Sequence, residues 1–408
     1  MQRSSQSKPQ ETPARRNVDA IVEREWIIGL LAAALDKSGF LNRVYGGFPA
    51  FRYKRLGISP DRLRTYPFAS VWNQLARKLK LPGSLRLCEP LSVANWVARH
   101  KDLAPVINCN GTAYRFLFPR LQNRSHTLVI ERGSMYPEDY FLFQERAKRE
   151  AGFPSTDRLP ESILDEMEKT KLADFVLCGS EMTRDSYLQR GLPPDRVITC
   201  HYGIDEKRFQ FAERKSNFGR SLRLVTVGSI GLRKGIWRLI QFGEWAIRRG
   251  LDLEIWLVGP LDPEAVALLG KTPAKFRTFG VLKGSAFVET LQQADAYAMF
   301  SYEEGFPLSL ISAMSTGLPA LTSNDTGGRE AVTPGLDGLV LNNFSHEEFD
   351  ALLPEIFQDK KRLIQMGRNA RLKVDANFTL DHYTRKIQAA YILISDFHHN
   401  RSSKNQTK

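Results

Sequence analysis

Four cysteines in 408 residues, none in a Cys-x-x-Cys spacing, leave this chain without a zinc knuckle or a disulfide framework. Cys88, Cys109, Cys178 and Cys200 stand far apart, three of them in segments that read as buried strands, so a reduced, cytoplasmic setting is expected. Long apolar runs are missing too. The longest, Trp26 to Leu35, is about half of the roughly 20 residues that cross a bilayer. Glu23, Glu25 and Asp36 flank it, so a buried helix is expected there rather than an anchor or a signal peptide. No Gly-x-Gly-x-x-Gly follows a strand, which argues against a dehydrogenase. No Asp-x-Asp occurs, so no metal site is nominated and no cofactor is expected.

Charge of one sign is scarce in two places. Residues 51–100 hold ten Lys/Arg against two Asp/Glu, whereas residues 301–350 hold one against eight. The net charge of +13 is therefore concentrated in the N-terminal half. A basic surface there suits anionic lipid headgroups, which would make the protein peripheral on the inner face of the membrane, a lipid diphosphate acceptor, or nucleic acid; a solvated face is the plain alternative. No helix-turn-helix or RNA-binding signature and no interleaved aromatics accompany the cations, which argues against nucleic acid.

The length suits two domains of comparable size. Residues 1–17 are polar with Pro9 and Pro13 and read as a disordered tail. From Val18 to Asp36, Ile21, Ile27, Ile28, Leu31 and Leu35 recur at helical spacing, with Gly39 as a stop. Leu85 to Cys88, Pro105 to Cys109, Thr127 to Glu131 and Asp174 to Cys178 are short apolar runs bounded by helical segments. That alternation predicts an α/β domain over 18–205 with a parallel sheet between helices. Residues 206–221, charged and poor in aliphatics, read as a linker. A second α/β domain is expected over 222–379, then a helix over 380–397 and a polar tail over 398–408.

Two stretches of the second domain carry chemistry. Leu222 to Gly228 alternates as a strand and runs into Ser229-Ile230-Gly231-Leu232-Arg233-Lys234-Gly235, followed by an amphipathic helix over Ile236 to Arg249. Strand, glycine loop, two cations and helix make a phosphate cradle. A basic pair at a helix start is disfavoured by the helix dipole by about 0.3–1 kcal/mol, a mismatch that favours function over decoration. The second stretch is Ser301 to Val332. Ala294 to Phe300 and Leu318 to Thr322 read as strands, with a helix between them that starts at Pro307 and ends before Gly317. Its N-terminus opens beside Glu303 and Glu304, at the carboxyl end of a strand, where open α/β sheets bind ligands. The carboxylates suit a hydroxyl-rich ligand such as a sugar. Glu303 reads as ordinary charge decoration.

Glu304, Gly305, Phe306, Ala313, Met314, Gly317 and Pro319 together resemble the donor-binding signature of the retaining GT-B glycosyltransferases that build bacterial polysaccharides, the glycosyl transferases group 1, family 4. Lys234 matches the diphosphate-binding lysine of that family, and Gly327-Gly328 its glycine turn. Asp174 to Ser180, Gly191 to Val197 and Gly203-Ile204-Asp205 match its interdomain landmarks. Two departures stand out. Ser312 occupies the place of the family's second glutamate, two helical turns after the first, and Ser229 a place where an arginine is common. A charged hydrogen bond contributes about 1.5–3 kcal/mol and a neutral one about 0.5–1.5, so donor affinity would fall without vanishing.

The resemblance implies a GT-B fold, two Rossmann-like domains facing across a cleft with the C-terminal helix crossing back. It implies transfer of a hexosyl group, with retention and without a metal, from a nucleotide diphosphate sugar to a saccharide or lipid-linked saccharide acceptor. Glu304, Lys234 and Arg233 would be catalytic. Gly228, Ser229, Gly305, Phe306, Pro307, Leu308, Ser312, Gly327 and Gly328 would bind the donor, the leaving phosphate taking the acceptor proton in a front-face reaction. Glu131-Arg132-Gly133-Ser134 resembles a loop of some relatives. Arg132, Ser134 and Tyr136 would then line the acceptor side, or an Arg–Glu pair simply braces the turn. The two serines also leave open a protein that binds nucleotide sugars without turning them over.

Overall fold

The computed structural model describes residues 16–22, 28–53, 57–122, 125–213, 221–353 and 359–406. Its contacts divide the chain into two units, Met1–Val129 with Ile387–Lys408, and Ile130–Lys386. Of the expected tail over 1–17 and linker over 206–221, residues 1–15 and 214–220 lie outside the described residues.

In the first unit the strands β1 (Val18–Val22), β2 (Leu41–Gly46), β3 (Leu63–Thr65), β4 (Val106–Asn110) and the start of β5 (Thr127–Arg132) run in the order β3-β2-β1-β4-β5. Strand β1 pairs in parallel with β2 and β4, at the centre of this set. Here the expected helix over Val18 to Asp36 is corrected: the chain forms β1 first and a helix only over Ile28–Lys37. All five residues of β1 are buried, as befits a parallel strand covered on both faces. Such a run lacks period-two alternation, so Ile21 fell at a helical interval from the later apolar residues by chance. Leu85 to Cys88 is no strand: Gly83–Leu85 is a 3₁₀ turn and the residues after it are exposed, Cys88 included.

In the second unit, β5 continues beside β6 (Phe175–Cys178) and β7 (Val197–Thr199). A separate sheet of β8 (Leu222–Val227), β9 (Leu253–Val258), β10 (Phe276–Gly280), β11 (Ala296–Met299), β12 (Ala320–Ser323) and β13 (Gly338–Leu341) has the order β10-β9-β8-β11-β12-β13. Its paired strands are parallel, so the chain reverses its winding direction between β8 and β11. That switch point is where an α/β sheet leaves a ligand crevice at the strand C-termini. Beneath it, Phe242, Trp245, Phe300, Phe344 and Phe349 form an aromatic core, with ring centroids 4.9–5.6 Å apart in consecutive contacts.

The last helix runs from Leu380 to Gln406, past the expected end at Phe397, so residues 398–406 are helical rather than a tail. From Ile387 on it belongs to the first unit. There Tyr391 accepts a hydrogen bond from the Asn108 amide at 2.8 Å and Ser395 one from Asn17 at 3.0 Å.

Candidate functional site

The loop after β8 is shaped by glycines at two positions. Gly235 has φ +78°, and a Cβ there would lie 2.1 Å from the Phe300 carbonyl oxygen, so only glycine lets the helix Ile236–Arg248 start hard against the end of β11. Gly228 has φ +139°, and a side chain there would meet the Lys234 methylenes at 3.0 Å. Lys234 therefore lies folded across the bare Gly228 backbone. The Tyr302 N–H donates to the Arg233 carbonyl at 2.9 Å and ties this loop to the acidic one after β11.

Lys234 Nζ and Arg233 Nη1 each lie 2.6 Å from the same oxygen, Oε1 of Glu304. Arg233 also donates to the Glu303 carbonyl at 2.7 Å and reaches its carboxylate at 3.4 Å. Burial works to raise the Glu304 pKa, but Lys234 and Arg233 outweigh it and hold the group below the usual carboxylate range. Glu303 departs from the expected charge decoration. It is buried, its Oε1 accepts the Met135 N–H at 3.0 Å, and burial, with repulsion from Glu304, pushes its pKa up to about 7.

Three backbones then close on one another. A Cβ at Gly305 would lie 2.4 Å from the Gly133 carbonyl oxygen, and one at Gly327 would lie 1.7 Å from that of Gly305. The Gly327 N–H donates to the Glu304 carbonyl at 2.9 Å. The turn carrying Gly327 and Gly328 is pinned at its far end by Glu330. That carboxylate accepts from the Glu181 and Met182 N–H groups, at the start of the helix Glu181–Leu188, and lies 2.9 Å from His201 Nε2. Burial raises the Glu330 pKa less than these donors lower it. Lys386 Nζ sits 2.9 Å from His201 Nδ1, on the other side of the same imidazole.

The sequence-nominated residues divide into those that meet and those that do not. Arg233, Lys234, Gly228, Glu304, Gly305, Gly327 and the start of the helix Leu308–Ser315 converge, with Pro307 as its N-cap and Ser312 buried two turns after Glu304. Ser229 is exposed and donates to Asp262 at 3.2 Å. Phe306 does not offer its ring to a ligand: the ring is buried against His201, Phe378 and Tyr202, with centroids at 5.0, 5.4 and 6.4 Å. Tyr136 is likewise core, edge-on to Tyr187 at 5.3 Å. Arg132 is buried in a 2.8 Å pair with Glu166 and reaches Ser134 Oγ at 3.4 Å. The loop after β5 thus reaches the acidic residues through the backbone of Gly133 to Met135, while Arg132 braces it from within.

Sequence reasoning missed a second charge cluster, built around one buried arginine. Arg238, one turn after Lys234, is buried with its guanidinium 3.6 Å over the Tyr302 ring and 4.3 Å over that of Phe344. It pairs with Asp325 at 2.7 Å. Tyr302 donates to Glu150 at 2.6 Å, and Arg146 bridges Glu150 at 2.7 Å and Asp325 at 3.3 Å. The one available signal was an arginine on the apolar face of an amphipathic helix. The cluster fixes Tyr302, and with it the backbone from which Glu303 and Glu304 project.

Residues 208–373 match the family model described as Glycosyl transferases group 1. Among curated proteins, the chain is 29% identical over 228 residues to an N,N'-diacetylbacillosaminyl-diphospho-undecaprenol alpha-1,3-N-acetylgalactosaminyltransferase of Campylobacter jejuni, covering 53% of this chain and 60% of that protein. It is 22% identical over 215 residues to the amylovoran biosynthesis glycosyltransferase AmsK of Erwinia amylovora, covering 50% of this chain and 53% of that one. The chain thus spans between half and two thirds of the length of these relatives. Among solved structures, Anabaena HepE in complex with UDP and glucose superposes with a TM-score of 0.66 at 14% identity, over 91% of this chain and 99% of that one. At that identity the likeness concerns the fold, which is GT-B with two Rossmann-like α/β domains and a C-terminal helix.

Proposed function

We propose, from the match of residues 208–373 to the family described as Glycosyl transferases group 1, that this chain transfers a hexosyl group, with retention, from a nucleotide diphosphate sugar to a saccharide or lipid-linked saccharide. The observation that carries the reading is the meeting of Lys234, Arg233 and Glu304 at one carboxylate oxygen. Without a donor, the two cations neutralise Glu304. A bound diphosphate takes them over, and Glu304 is released to accept hydrogen bonds from sugar hydroxyls.

The reaction breaks the bond between the anomeric carbon and the β-phosphate oxygen. Negative charge grows on that oxygen, and in this reading Lys234, Arg233 and the N-terminal N–H groups of the helix Leu308–Ser315 stabilise it. The acceptor oxygen bonds to the same face of the anomeric carbon, and its proton passes to the departing phosphate. In this reading the side-chain cations supply the charge that a metal ion supplies elsewhere.

HepE supports a uridine nucleotide as donor carrier, and the C. jejuni relative, named for a diphospho-undecaprenol substrate, supports a lipid-linked acceptor. No described helix is long and apolar enough to cross a membrane; in this reading a lipid-linked acceptor is met at the cytoplasmic surface of the bilayer. The test is turnover with UDP-, GDP- and dTDP-sugars against saccharide and polyprenyl-diphosphate acceptors. Release of nucleoside diphosphate coupled to product supports transfer. Ser312 and the Ser229–Asp262 bond favour a second reading, a nucleotide-sugar-binding protein, which binding without turnover by any donor would establish.

A further inference from the structure

We propose that the helix Phe68–Lys78 and the segment beside it are a bilayer-seating element, which inserts an apolar ridge into an anionic membrane surface. It deepens the reading of a lipid-linked acceptor and rests on that reading for its purpose only. The helix is inside out. Its buried residues are Ala69, Ser70, Asn73 and Ala76, small or polar. Its large apolar residues face water: Phe68 is 59% exposed, Val71 48%, Leu75 46% and Leu79, at the C-cap, 60%. Intervals of three, four and four residues place these on one stripe.

A second row runs alongside. The Trp72 indole donates to the Leu85 carbonyl at 2.8 Å. The buried Asn73 amide bonds both ways to the Leu87 backbone, at 2.9 and 2.8 Å. These bonds hold Leu85 and Leu87 beside the helix with their side chains exposed. Eight of the nineteen exposed large hydrophobics among the described residues fall between Phe51 and Leu87, a density that marks an interaction face rather than scatter.

Charge selects the partner. Arg64, Arg77, Lys78, Lys80 and Arg86 are exposed in this segment, against the single exposed acid Asp61. A second copy of the chain would bring like charges together around the ridge. A bilayer carrying anionic headgroups takes the ridge at its acyl boundary and the cations at its phosphates.

The test is co-sedimentation of the full chain with vesicles of phosphatidylcholine alone or mixed with phosphatidylglycerol. Binding to the mixed vesicles, weakened by salt, is expected, with a blue shift of tryptophan emission. The triple variant Phe68→Ser, Leu75→Ser, Leu79→Ser should lose at least about tenfold in partitioning. Its melting temperature, and its transfer to a short water-soluble acceptor, should match the wild type, because the three side chains already face solvent. Wild-type sedimentation by the variant, or no preference for anionic vesicles, overturns the proposal. So does a wild-type dimer that the variant converts to monomer without any vesicle binding. Loss of all transfer by the wild type with vesicle binding intact would count against the enzymatic reading alone.

Discussion

Lys234 Nζ and Glu304 Oε1 are 2.6 Å apart, and Arg233 approaches the same oxygen equally closely. The cations that suit a diphosphate are thus occupied by an internal carboxylate until a ligand displaces it. Glu304→Gln should separate the two roles. With its competitor neutralised, the basic pair should bind free UDP at least as tightly as in the wild type. Loss of the charged sugar contact should lower turnover by about 10²–10³. Calorimetric titration with UDP beside steady-state kinetics checks both; weaker UDP binding in the variant would contradict the competition.

Glu303 gives a pH dependence whose sign follows from its raised pKa. Burial and repulsion from Glu304 place it at about 7, above its value in an unfolded chain. Between those two values the folded protein holds a proton that the unfolded chain has released, so this group favours the native state as pH falls through 7 and opposes it above. Glu303→Gln should therefore gain most in melting temperature, relative to wild type, at pH 8, and the difference should shrink towards pH 5.5. A difference independent of pH would show that Glu303 is charged throughout.

Arg238→Met keeps much of the apolar stem but removes the cation between Asp325, Tyr302 and Glu150. Asp325 then keeps only its 3.3 Å contact with the half-exposed Arg146, so the cost should fall below the about 3–5 kcal/mol of breaking a fully buried pair. Chemical denaturation should show that loss. Adding Asp325→Asn should recover part of it, since the half-compensated carboxylate is then gone.

If side-chain cations alone neutralise the departing diphosphate, transfer should persist unchanged after dialysis against EDTA. Loss of activity restored by Mg²⁺ or Mn²⁺ would show that a metal shares the task.

The sequence was most legible where local pattern and chemistry coincide. Gly228, Gly235 and the alternation of β8 announce a strand, loop and helix within twenty residues, and the acidic loop is framed by two apolar runs. Legibility failed where burial is decided by distant neighbours. Strand β1 looked helical because it is buried on both faces and so lacks the alternation that marks a strand. Phe306 and Tyr136 looked like ligand contacts, yet His201, Phe378 and Tyr187 claim their rings. Glu303 read as a surface charge, and Arg238 went unremarked, because nothing adjacent in sequence reveals Met135 or Asp325 as partners. Leu85 and Leu87 read as a buried strand because apolar composition does not say which surface, protein or other, will cover it.

The central claim is that the corner holding Lys234 and Glu304 grips a nucleotide diphosphate. Isothermal titration of UDP, GDP and dTDP into wild type and Lys234→Ala tests it most directly. The account predicts saturable binding of at least one nucleotide by the wild type, weakened at least about tenfold in the variant, as loss of a charged hydrogen bond requires. Equal affinity of the two proteins for the nucleotide that binds would contradict it.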